Sequence, residues 1–239
     1  MGEEFVDCKG TTLWTITQGK GIPVLLCNGG PGCVDYLGSV AEMIDDLARV
    51  IRYEQRGCGR SEQKPPFDVR TFIKDIESIR KHYNIEKWIV GGHSWGANLS
   101  LAYTLAHPNR VIGLINLSGT GFQNDIGWKA AKKKASKERG ETWPDMTEPI
   151  SEFIRRRLNI SWYEFIKTPL LYKRLTELQM PALFIYGEFD IRPVWPVEQV
   201  ANLMPNASFK MIDAEHFLWL MQPDKLRREL RDFINAHFI

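Results

Sequence analysis

The pentapeptide Gly92-His93-Ser94-Trp95-Gly96 follows the apolar run Trp88-Ile89-Val90 and precedes a helix-forming stretch over 97–106. A Gly-x-Ser-x-Gly turn between a strand and a helix is a nucleophile elbow, which holds its serine in a strained backbone conformation with the hydroxyl exposed. The flanking glycines are needed because a Cβ at either place would collide with the neighbouring strand or helix.

The same strand-then-helix alternation runs along most of the chain. Short β-branched or apolar runs at 11–17, 24–27, 50–53, 88–90, 111–117, 182–186 and 209–212 predict strands, the first of them in an antiparallel hairpin. Helical patterns fall at 36–47, 69–83, 97–106, 196–203 and 225–236. Such alternation predicts an α/β fold with a mostly parallel sheet of about eight strands flanked by helices.

The alternation breaks once. From 121 to 178 there is no strand signal, only amphipathic helical segments carrying Trp128, Trp143, Phe153, Trp162, Tyr163 and Phe165. A long helical excursion between two sheet strands is usually functional. We therefore expect 121–176 to be a small helical cap over the catalytic edge, inserted into a core domain made of 1–120 and 177–239. Its aromatics are expected to line an apolar pocket, with Trp128 and Trp162, together with Gly29, as substrate-binding residues.

Bulk properties narrow the function. A chain of 239 residues, 44% of them hydrophobic, supplies one core without metals or disulfides. The formal net charge of +2 argues against a nucleic-acid partner. Two basic runs, Lys132-Lys133-Lys134 and Arg155-Arg156-Arg157, lie in helix-like stretches and are expected to be solvated faces. No apolar run approaches the roughly 20 residues of a membrane span, and the N-terminus carries no signal-peptide pattern. A cytoplasmic protein without membrane attachment is expected. Cys8, Cys27, Cys33 and Cys58 have no metal-ligand spacing, so reduced thiols and no metal site are expected.

A nucleophile elbow calls for an acid and then a histidine later in the chain. Asp190 follows the 182–186 strand through Gly187-Glu188-Phe189, and His216 follows the last strand through Asp213-Ala214-Glu215. A serine hydroxyl becomes a nucleophile only when a histidine takes its proton, and a carboxylate must orient that histidine. Ser94, Asp190 and His216 are thus the candidate catalytic residues, with Glu188 and Asp213 as alternative acids. His93 abuts the nucleophile and should point away from it. For the oxyanion the expected donors are the backbone N–H of Trp95 and one from Asn28-Gly29-Gly30-Pro31-Gly32, with Gly30 favoured over Gly29. That glycine-rich loop lacks the spacing of a nucleotide-binding fingerprint, and no cofactor is expected.

The three segments Asn28-Gly29-Gly30-Pro31-Gly32, Tyr53-Glu54-Gln55-Arg56-Gly57-Cys58-Gly59-Arg60-Ser61 and Gly92-His93-Ser94-Trp95-Gly96 together resemble the α/β-hydrolase superfamily, and within it the proline iminopeptidase branch. Asn28 stands where that branch usually has His, Glu54 where it has Asp, and His93 where it often has Gly. The insertion is also shorter than the branch's usual helical cap. Cap glutamates of such peptidases hold the substrate's free α-amino group, and Glu138, Glu141, Glu148, Glu152 and Glu164 are the candidates here. The resemblance implies a hydrolase acting on an ester or amide of a small molecule or short peptide. Aminopeptidase, carboxylesterase and C–C bond hydrolase activities remain open, as does a non-catalytic receptor built on the same fold.

Overall fold

Residues 2–122, 125–146, 148 and 150–239 are described by a computed structural model. In chain order the elements are β1 (Gly2–Asp7), β2 (Thr12–Gln18), β3 (Ile22–Cys27), α1 (Gly38–Glu42), β4 (Ala48–Tyr53), α2 (Val69–His82), β5 (Trp88–His93), α3 (Trp95–Ala106), β6 (Val111–Leu117), α4 (Ile126–Glu138), α5 (Glu152–Phe165), α6 (Leu171–Thr176), β7 (Ala182–Gly187), α7 (Trp195–Leu203), β8 (Ala207–Ile212), α8 (Leu218–Met221) and α9 (Pro223–Phe238).

The eight strands form a single sheet in the order β1-β2-β4-β3-β5-β6-β7-β8. β1 pairs with β2, and β2 with β4, antiparallel; every later pairing is parallel. The central strands are apolar on both faces because helices cover both. In β3, Leu25 and Cys27 join one core with Phe72 and Ile76 of α2 and Leu99 and Tyr103 of α3. Val24 and Leu26, one residue out of phase, join the other core with Leu226, Leu230 and Phe233 of α9. In α2 the buried Val69, Phe72, Ile73, Ile76 and Ile79 repeat at helical spacing, and Asp68 Oδ1 caps the helix by accepting from Thr71 N at 2.8 Å.

Two elements depart from the expectation. β1 carries no apolar alternation, because it is an edge strand in which Val6 alone is buried. Helix 36–47 shortens to five residues: beyond Glu42, the amides of Met43, Ile44 and Leu47 bond three residues back instead of four. Those tight turns bring the buried Ile44 and Ala48 directly into β4.

Chain direction across the sheet reverses between β3, which leads outward to β4, and β5, which starts the opposite half. In open α/β sheets the crevice at the carboxyl ends of such strands is the binding position. Cys27 lies beside Gly92 in the parallel register, so the loop after β3 and the turn after β5 meet at that crevice. Between β6 and β7 lie α4, α5 and α6. Among the described residues no helix is long and apolar enough to cross a membrane.

Candidate active site

Ser94 sits at the crevice with φ 56° and ψ −119°, a combination that side chains with a Cβ strongly avoid. Its amide is anchored to Leu117 O at 2.8 Å, and the amides of Ala97 and Asn98 bond back to its carbonyl. The turn closes only because Gly96 has no side chain: a Cβ there would stand 2.0 Å from Cys27 O.

Asp190 and His216, brought in by the loops after β7 and β8, are both buried. His216 Nδ1 lies 2.6 Å from Asp190 Oδ2. The other carboxylate oxygen accepts from Arg192 N at 2.8 Å and Arg192 Nη1 at 3.1 Å. Burial alone would raise the Asp190 pKa, but the His216 contact and Arg192 outweigh it and hold the carboxyl well below its usual range. For His216 the balance is reversed: burial and Arg192 lower its pKa below 6.5 despite Asp190. The imidazole is therefore a free base at neutral pH.

Ser94 makes no hydrogen bond to His216 among the described residues; its hydroxyl opens on the cavity instead. Catalytic hydrogen bonds in empty sites are commonly long and tighten on a substrate. The elbow and the histidine loop are tied one residue away, where His93 Nε2 lies 2.9 Å from His216 O. A carbonyl can only accept, so His93 carries its proton on Nε2, and Nδ1 accepts from Tyr36 Oη at 2.8 Å. Tyr36 Oη accepts in turn from Gly29 N at 2.8 Å. Both His93 nitrogens are thus engaged, consistent with its exclusion as the base.

This bonding separates the two oxyanion-loop glycines. Gly29, expected among the substrate-binding residues, is buried with its N–H committed to Tyr36. Gly30, at φ 115°, lines the cavity, and its N–H has no acceptor among the described residues. Trp95 N is the first amide of α3 and has no partner within the helix. Asn28 Nδ2 closes the loop by donating to Cys33 O at 2.7 Å.

Gln55 was invisible as a site residue in the sequence. Its Nε2 donates to Asn28 O at 2.7 Å and its Oε1 accepts from Trp95 Nε1 at 3.1 Å, bridging the loop after β3 and the start of α3, the two segments that carry the candidate oxyanion donors. Behind it, Arg56 grips the buried Asp75 through two bonds of 2.9 and 2.6 Å, and Arg60 pairs with Glu54.

A cavity of about 720 Å³ opens above Ser94, Gly30 and Trp95. Trp128 and Trp162 line it, as do Trp143 and Tyr163. Phe153 and Phe165 lie elsewhere, packed edge-on against Phe67 and stacked on Trp162. The 121–176 segment is fastened to the catalytic loops by polar contacts: Ser151 N donates to Gly32 O at 3.0 Å, Thr142 N to Glu215 Oε2 at 2.7 Å, and Arg192 pairs with Glu141. Glu141, Asp190 and His216 bring potential metal-ligand atoms within 4.8 Å of one another. Each is already engaged, by Arg192 or by the Asp190–His216 bond, so the donor set fits an ion-pair network better than a metal.

Comparison with known proteins bears on the fold and the family. Residues 22–158 match the family model of the alpha/beta hydrolase fold. A proline iminopeptidase of Neisseria gonorrhoeae is 36% identical over 143 residues, 58% of this chain and 46% of that protein. The chain thus spans about half the length of the first curated relatives it matches. One from Heyndrickxia coagulans is 26% identical over 92% of both chains. Among solved structures, a thermophilic esterase from Thermogutta terrifontis superposes with a TM-score of 0.79 at 20% identity, covering 100% of both chains. With an elbow serine, a sheet of this order and a family match over more than half its length, the chain belongs to the α/β-hydrolase fold family.

Proposed function

We propose that this protein is a serine hydrolase that cleaves an ester or amide bond of a small substrate through an acyl-enzyme. The observation that carries the reading is Ser94 in its strained turn, tied through the neighbouring His93 to the loop of His216, whose Nδ1 is bonded to a buried carboxylate. Ser94 Oγ attacks the carbonyl carbon while His216 Nε2 takes its proton. Nδ1–H stays donated to Asp190, which stabilises the imidazolium. Negative charge developing on the carbonyl oxygen is met by the N–H groups of Gly30 and Trp95, at the positive end of α3. His216 then protonates the leaving group; a water next gives a proton to His216 Nε2 and attacks the acyl carbon, and His216 returns that proton to Ser94 Oγ as the acyl–oxygen bond breaks and the acid leaves. All four cysteines are free and buried, which suits the reducing cytoplasm.

Within this reading we favour an ester over an N-terminal peptide bond, although the relatives are named proline iminopeptidases. An α-amino group needs an unpaired carboxylate in the cavity. Of the candidate glutamates, Glu138, Glu152 and Glu164 pair with Lys134, Arg155 and Lys167, and Glu148 is exposed and outside the cavity lining. Glu141 does line the cavity, but Arg192 occupies it. The deciding experiment sets p-nitrophenyl esters against aminoacyl-p-nitroanilides, proline included. A burst of p-nitrophenol stoichiometric with enzyme, and an acyl adduct on Ser94 by mass spectrometry, are expected with the esters. Turnover of the anilides alone would reverse the preference.

We assign residues 121–176 the role of a lid that sets acyl-chain size. Trp128 faces the cavity and is held by a bond from Nε1 to Pro193 O at 3.3 Å. Replacing it by leucine is expected to raise kcat/KM for long acyl esters over short ones by about tenfold, the scale of a few methylenes in an apolar pocket. Phe153→Leu, away from the cavity, should leave that ratio unchanged. Equal ratios in wild type and Trp128→Leu would remove Trp128 from the acyl pocket.

A further inference from the structure

We propose that the cavity above Ser94 is built for a substrate carrying a negative charge, a carboxylate at the end of its acyl group, held by the lysines of α4. The inference rests on the serine-hydrolase reading and names its substrate class.

Lys129, Lys132, Lys133, Ser136 and Lys137 all line the cavity. Their spacing of three, four, seven and eight residues is one face of a helix. α4 turns Trp128, Ala131, Lys132 and Ala135 inward, and the exposed Lys129, Lys133 and Lys137 flank that stripe while lining the cavity, so the helix sets cations beside its apolar stripe. Lys134 lies off this face, exposed and paired with Glu138. Within the run, Lys133 and Lys134 are exposed and Lys132 alone is half-buried. Arg155 from the second basic run also lines the cavity, whereas Arg157 lies in a separate hollow beside Phe67 and Phe153.

Charges in the cavity do not balance. Six basic side chains line it against one carboxylate, Glu141. Arg192 is neutralised by Glu141 and Asp190, and Arg155 by Glu152. No ion pair serves Lys129, Lys132, Lys133 or Lys137 among the described residues. Lys132 is the most telling of them. It is half-buried, its ammonium stands 5.6 Å from the centre of the Trp128 ring, and burial followed by the nearby Arg192 pushes its pKa down. Glu141 and Asp190 oppose that shift without forming an ion pair with Lys132, and a part-buried ammonium left without such a partner is an unfavourable arrangement that a bound anion would relieve. A cleft of one sign also concentrates oppositely charged substrate and repels an amine. That is the reverse of what an enzyme selecting a free N-terminus requires.

The test uses three p-nitrophenyl esters of similar length: hexanoate, the monoester of glutarate, and the ester of γ-trimethylammoniobutyrate. The expected order of kcat/KM is anionic, neutral, cationic, with glutarate ahead of hexanoate by about tenfold, the scale of one hydrogen bond to a charged group. That lead should shrink at about 0.5 M salt, where charges are screened within a few ångströms. Lys132→Gln should reduce the lead by about tenfold, and Lys134→Gln should leave it unchanged. An equal or better rate with the neutral ester, or an unaltered lead in Lys132→Gln, overturns the proposal while leaving the hydrolase reading intact. Should no ester turn over and no fluorophosphonate label Ser94, that reading fails instead. Calorimetry on Ser94→Ala then still decides the charge preference. Monomethyl glutarate binding more tightly than methyl hexanoate, with the difference lost in Ser94→Ala/Lys132→Gln, supports the proposal, and equal binding refutes it.

Discussion

Replacing Ser94 by alanine is expected to lower kcat by roughly a millionfold, the scale found when the serine of a subtilisin triad is removed, and to abolish labelling by a fluorophosphonate. Ser100 Oγ donates to Gly91 O at 2.8 Å and Ser61 Oγ to Glu54 O at 2.6 Å, and Ser118 Oγ, though unbonded, is fully buried and out of reach of a label. Label found on any serine other than Ser94 would overturn the assignment. The same position carries a stability signature with a definite sign. Alanine keeps a Cβ and therefore keeps the strain of φ 56°, ψ −119°, so Ser94→Ala should melt close to wild type. Glycine removes a strain of about 1–3 kcal/mol at an entropic cost nearer to about 0.5–1 kcal/mol. Ser94→Gly should thus gain roughly 1 kcal/mol, a rise of about 2–4 °C in Tm for a chain of this size. A Tm equal to or below that of Ser94→Ala would show that the elbow is not strained.

What the sequence made legible follows from range. The elbow is local, since Gly92, Ser94 and Gly96 constrain one turn, and β6 and β7 after it are apolar runs because they are buried on both faces. The places of Asp190 and His216 just past strand ends were legible for the same reason. What stayed hidden depends on pairings between distant residues that leave no local trace. Arg192 touches Asp190 at short range but meets Glu141 across 51 residues, and Tyr36 reaches His93 across 57. Gln55 stands in a segment that carries the family resemblance, but its role shows only when Asn28 and Trp95 close around it. The lysines of α4 show the opposite difficulty. Their helical spacing was legible, but whether that face meets solvent or the catalytic cavity depends on how the helix docks, through Trp128 and its bond to Pro193.

Asp190→Asn is expected to lower kcat by about 10⁴-fold, as when a triad aspartate is neutralised in serine proteases, and the bonding here gives the reason. Asp190 Oδ1 accepts two donors from Arg192, and Oδ2 faces His216 Nδ1. An asparagine must present its oxygen to the Arg192 donors, so its NH₂ faces His216 and forces Nδ1 to accept. The imidazole proton then moves to Nε2, where it points at Ser94 and cannot receive the serine's proton. Asp213 is exposed and bonded to Lys225 and Gln222, and Asp213→Asn should leave kcat within about twofold, as surface changes usually do. The pH profile supplies a second reading of the same pair. His216 must be neutral to act, and burial with Arg192 sets its pKa below 6.5, so the acid limb of kcat/KM should fall below that value in wild type. Arg192→Gln removes a cation that opposes the imidazolium, and the limb should move up. A limb that moves down in Arg192→Gln, or kcat lost in Glu188→Gln and retained in Asp190→Asn, would take the orienting role away from Asp190.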